Sequence, residues 1–127
     1  MGNYYSVSGD MPAPANGQPG QGNLRQYSTF RYTLGGPASL TVNTINAALA
    51  DGTIISSQDL NWAGMRAGLR NTDGNQITPS AQWGYGVRGN VPFGNVNGYV
   101  AINARVITNK YAMYPNYIWS GTLYLGL

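Results

Sequence analysis

Asp10, Asp51, Asp59 and Asp73 are the only carboxylates in this sequence, and glutamate, histidine and cysteine are absent. That set leaves little chemistry open. Two carboxylates held together can act as general acid and general base, but each of these aspartates has a structural assignment of its own. Asp51 and Asp73 sit in Asp-Gly turns, where the side chain stabilises the bend. Asp59 stands where it would cap a helix, and Asp10 opens a Pro/Gly-rich stretch. Without imidazole, every histidine-based triad and every histidine metal site is closed. Without thiols there are no disulfides and no thiolate nucleophile. No glycine-rich loop ending in Gly-Lys-Ser/Thr is present to cradle phosphate. The oxygens of Asn71-Thr72-Asp73-Gly74-Asn75 suit calcium, but the roughly 12-residue calcium loop with its closing glutamate is missing. The sequence therefore predicts no catalytic residues, no cofactor and no metal: a non-enzyme.

The other residues able to recognise a ligand are aromatic or basic. Trp62, Trp83 and Trp119, with ten tyrosines, would make a sugar-stacking platform if they shared a surface. They serve equally as strand core and subunit contact, which is the expected use here. The basic residues, Arg25, Arg31, Arg66, Arg70, Arg88, Arg105 and Lys110, are spread along the chain and give a net charge of +3. Nucleic-acid binding needs a clustered basic face, so nucleic acid is expected as a partner only for a virion protein. Charged residues make up 9%, far below the usual quarter. Scarce charge leaves β edges unprotected against pairing with other chains, which suits an extracellular or virion protein built to assemble. No run approaches the roughly 18 apolar residues of a membrane span. The start, MGNYYSVSGD, lacks the basic and apolar regions of a signal peptide, and reads as a mature form or one made without export.

The elements that would position these residues are mostly strands. Residues 1–9 read as an N-terminal arm, with NYYSVS a short strand. Residues 10–23 read as a Pro/Gly-rich linker, and 24–127 as the folded domain. An arm before a linker suits a segment that reaches a neighbour, and equally a strand pinned to its own sheet. In LRQYSTFRYTL (24–34), the face carrying Leu24, Gln26, Ser28, Phe30, Tyr32 and Leu34 is the expected core face. Residues 37–52 are ambiguous: Leu40 and Val42 alternate, while Val42, Ile45 and Leu49 fit a helix. Residues 52–57 read as a strand. Residues 59–71 are open between helix, from Trp62, Met65 and Leu69, and strand, since Gly64 and Gly68 disfavour a helix. AQWGYGVRG (81–89) reads as a strand and NVPFGNVNG as a turn-rich connection. In GYVAINARVIT (98–108), Val100, Ile102, Ala104 and Val106 share one face. With about six to eight strands and regular turn signals, the fold is all-β: an immunoglobulin-like or Greek-key β-sandwich, with room for one or two short helices.

The final stretch, YIWSGTLYLGL, puts Tyr117, Trp119, Gly121, Leu123, Leu125 and Leu127 on one apolar face. The pattern Pro115-x-x-x-Trp119-Ser120-Gly121, followed by the Leu123/Leu125/Leu127 row, resembles the end of a chaperone–usher pilus subunit. The resemblance implies an incomplete immunoglobulin-like fold that the next subunit's N-terminal arm completes. It makes Tyr4, Tyr5 and Val7 the donor residues and Trp119, Leu123, Leu125 and Leu127 the acceptor row, although Tyr5 and Val7 alternate more briefly than such arms usually do. The partners it implies are further copies of the chain, a periplasmic assembly chaperone, and a host glycan or protein receptor, at the cell surface. Strand addition also repairs unpaired backbone at a sheet edge on physical grounds alone. A phage or virus coat protein and a secreted carbohydrate-binding module are the other two classes the sequence allows.

Overall fold

The structure is a computed structural model that describes residues 2–55 and 59–126. Its strands are β1 (Gly2–Pro12), β2 (Gly20–Gln21), β3 (Arg25–Gln26), β4 (Arg31–Ala48), β5 (Ala63–Arg70), β6 (Ala81–Trp83), β7 (Gly89–Thr108) and β8 (Asn116–Gly126). One short 3-10 turn, Ala15–Gly17, interrupts them. The fold is all-β and antiparallel, in the order β1-β8-β4-β7-β5-β6, with β2 and β3 also on β7. The long strand β7 makes the sandwich. Its first part, Gly89–Val100, pairs with β4, and its second part, Ala101–Thr108, pairs with β5. One strand thus serves two layers, and the core lies between them. Trp83, Trp119, Tyr117, Met11, Leu40, Ile45, Met65 and Leu69 are its largest fully buried members.

Alternation explains the best-ordered strands. Val100, Ile102, Ala104 and Val106 are buried, as are Tyr117, Trp119, Leu123 and Leu125. Both ambiguous segments are strands. Over 37–52, a bulge between Val42 and Thr44 adds one residue. Val42 and Ile45, three apart, then both face the core and imitate helical spacing. Over 59–71, Met65, Ala67 and Leu69 alternate inward. Gly64 is required because a side chain there would strike the Trp83 carbonyl.

Several expectations are corrected. In 24–34, Leu24, Tyr32 and Leu34 are exposed, while Thr33 is buried with its hydroxyl donating to the Gly126 carbonyl at 2.7 Å. The segment is broken at 27–30 between β3 and β4, so no single alternation runs through it. The strand expected at 81–89 stops at Trp83, and a turn closed by the Val87 N–H on the Gly84 carbonyl leaves Tyr85 and Val87 exposed. NVPFGNVNG is part of β7, its irregularity absorbed by register shifts against β4. Of 52–57, Ile54 makes an isolated bridge to Ala48, and 56–57 lie outside the described residues.

Candidate functional site

The residues singled out at the two chain ends meet at one edge of the sheet. β1 pairs with β8 along eleven consecutive positions, from Gly2 opposite Gly126 to Pro12 opposite Asn116. Its inward row is Tyr5, Val7, Gly9 and Met11, opposite Leu123, Gly121, Trp119 and Tyr117. Large faces small along this row: Val7 lies against Gly121, and Gly9 against Trp119. Gly121 has no room for a side chain, because a β-carbon would run into the Thr41 carbonyl of β4. At Gly9 a β-carbon would meet the Tyr27 ring.

Trp119, Leu123 and Leu125 are buried, and Tyr5 and Val7 pack on them from β1. Tyr4 is not part of the inward row. It is 74% exposed and lies against Tyr124, ring centroids 4.8 Å apart. Leu127 lies outside the described residues. Met11, fully buried, is the member of this row that the sequence reading assigned to the linker. The period-two run Tyr5, Val7, Gly9, Met11 was the available signal.

A hydrogen-bonded chain fastens β1 to the body. The Trp119 indole Nε1 donates to the Tyr27 hydroxyl at 2.9 Å, and that hydroxyl donates to the Asp10 carbonyl at 2.9 Å. Burial raises the Tyr27 pKa well above the ordinary tyrosine value. Outside, Arg25 pairs with the Asp10 carboxylate at 2.9 Å. Arg31 stacks its guanidinium 4.5 Å from the Tyr5 ring centroid. A cavity of about 250 Å³ opens between β1 and residues 27–31, lined by Ser6, Ser8, Tyr27, Thr29, Arg31 and Trp119. Its lining carries the hydroxyls of Ser6, Ser8, Tyr27 and Thr29.

Asp51 and Asp59 are structural in different ways. The Asp51 carboxylate accepts the Thr53 N–H at 3.0 Å, which holds its pKa below the usual value. Asp59 caps no helix: it accepts the Ile45 N–H at the β4 bulge and the Arg88 Nε at 3.0 Å. The turn at 71–75 is held by Asn71, whose side-chain oxygen accepts the N–H groups of Asp73 and Asn75. Among the described residues no three acids lie close enough to hold a metal ion. Trp83 and Trp119 are core. Trp62 is half-buried, near Tyr114 and Tyr117 and under the Lys110 ammonium. Among the described residues no helix is long and apolar enough to cross a membrane. No family model and no curated protein sequence matches this chain.

Proposed function

We propose that this chain is a non-enzymatic structural subunit that assembles into a surface filament by exchanging β1 between copies. One observation carries the reading. β1 is an edge strand held mainly by β8, with an interlocking apolar row and a Pro-rich tether behind it. A strand held this way forms the same contacts with a neighbour's β8 as with its own, so exchange costs little. Pro12, Pro14 and Pro19 bias the tether toward extended forms, which favours reaching outward. Donor strand and acceptor edge are different surfaces, so the contact is heterologous and grows head to tail. A vacated β8 edge exposes Trp119 and Leu123 until it is filled, which gives an assembly chaperone its task. In this reading the filament stands at the cell surface.

The test uses a disulfide. Ser6 and Thr122 are directly opposed, and the chain has no cysteine of its own. The Ser6→Cys/Thr122→Cys double variant, oxidised at rising protein concentration, should give a ladder of covalent multimers on a non-reducing gel. Monomeric intrachain disulfide at every concentration rejects strand exchange. Closed shells by electron microscopy would instead assign the chain to a virion coat.

A further inference from the structure

Folding sorts the cations that look scattered in the sequence. Arg25 is paired with Asp10 and Arg88 with Asp59. Arg31 lies over Tyr5 and Lys110 over Trp62. Arg70 lies over Phe30 and donates to the Tyr27 carbonyl. The other two, Arg66 and Arg105, alternate with the core residues of β5 and β7 and so share the outward face of that pair. Arg66 and Arg105 are directly opposed in register. Like charges in that position weaken a sheet, and neither has an ion-pair partner among the described residues. Among the described residues Arg105 donates to the neutral Gln21 oxygen, at 3.2 Å.

These two arginines border a cavity of about 220 Å³, with Asn103, Gln76, Ser80, Ala67 and Leu24 completing it. Asn103 is 2% exposed, and its side-chain oxygen has no hydrogen-bond partner. A buried acceptor left unmet is costly and calls for a donor. Gln76 lies across Gly68, where any side chain would collide with it, and is fixed by its amide donating to the Thr78 carbonyl and the Ser80 hydroxyl. The cavity thus has two guanidinium groups without ion-pair partners among the described residues, an asparagine in its wall whose enclosed oxygen is unmet and, in Leu24, an apolar patch.

That combination selects a ligand class. Arginine forks match planar carboxylates. The Asn103 oxygen calls for a hydrogen-bond donor on the ligand, which a phosphodiester group lacks and a sugar hydroxyl supplies. An acidic sugar carries carboxylate, hydroxyls and an apolar ring face on one small body. We propose that the outward β5–β7 face binds a sugar carboxylate, such as a uronic-acid unit of a glycan. Arg66 and Arg105 hold the carboxylate, and the Asn103 oxygen accepts from a ring hydroxyl. The site borders the β1 seam through Leu24, next to the Arg25 that pairs with Asp10, but its two arginines are held by β5 and β7 and it does not rest on strand exchange.

The test is a nuclear magnetic resonance titration of the full-length chain with glucuronate, glucose, inorganic phosphate and a single-stranded oligodeoxynucleotide. Glucuronate should shift the Arg66, Arg105 and Asn103 side-chain signals saturably, with glucose inert and phosphate weaker. Arg66→Gln and Arg105→Gln should each weaken glucuronate at least about tenfold without lowering the thermal midpoint, while Arg31→Gln leaves it unchanged. Absence of saturable shifts, or an undiminished response in Arg66→Gln, overturns the site. Phosphate binding as tightly as glucuronate, or the oligonucleotide more tightly, overturns the sugar assignment.

Discussion

The β1–β8 edge and the outward β5–β7 face are built on different strand pairs of the sheet, and they handle polarity in opposite ways. At the edge, Asp10 is matched to Arg25, the Trp119 indole and the Tyr27 hydroxyl both have partners, and large side chains meet small ones. On the face, two arginines oppose each other and a buried oxygen is unmet. A satisfied surface can be given up only for an identical one, which is what strand exchange supplies. An unsatisfied surface draws in different chemistry.

Substitutions probe that contrast, the most damaging first. Trp119→Ala should cost about 3–5 kcal/mol in urea denaturation, since the side chain is fully buried at the centre of the seam. A small loss would mean the edge is not interlocked. Met11→Ala should cost about 2–3 kcal/mol, whereas Tyr4→Ala should stay within about 0.5 kcal/mol. Equal costs would erase the distinction between inward and outward rows.

Alkali should also act on the core side of the seam. Burial, with Tyr114 nearby as a lesser cause, pushes the Tyr117 pKa up to about 12, and burial raises that of Tyr27. The unfolded chain releases these protons near pH 10.0 while the folded chain retains them. Stability is therefore full below about pH 10 and falls as pH rises toward about 12. Thermal midpoints across that range should decline, less steeply in Tyr27→Phe. The smallest effects separate the two charge environments. Asp10→Asn breaks a half-exposed ion pair and should cost less than about 1 kcal/mol. Arg66→Gln relieves a like-charge pair and should cost nothing or raise the midpoint slightly. A clear loss in Arg66→Gln would mean the guanidinium is satisfied after all.

The parts legible in the sequence were those where one alternation runs unbroken. The row from Tyr117 to Leu125 and the row from Val100 to Val106 face the core as their spacing predicts. Legibility failed where a bulge or a close approach reset the phase. The bulge after Val42 turned a strand into apparent helical spacing. The glycines of β5 seemed to weaken any regular element, but they admit the Trp83 carbonyl and the Gln76 side chain. Within the candidate edge, Trp119 and Gly121 were readable, and the structure supplies the reason for the glycine in the Thr41 carbonyl against it. Met11 was hidden by the prolines that follow it. The β5–β7 face was hidden because Arg66 and Arg105 are remote in sequence and become neighbours only through strand register.

The hydrogen bond from Trp119 to Tyr27 gives the seam an optical signature. The indole is fully buried, and β1 lines the cavity beside it. When β1 departs, water reaches that ring and its emission shifts to longer wavelength. Trp83, buried at the far β6 edge with its Nε1 on the Gly89 carbonyl, keeps its surroundings. With Trp62→Phe and Trp83→Phe in place, the remaining fluorescence reports strand departure and recapture in real time, without any attached dye.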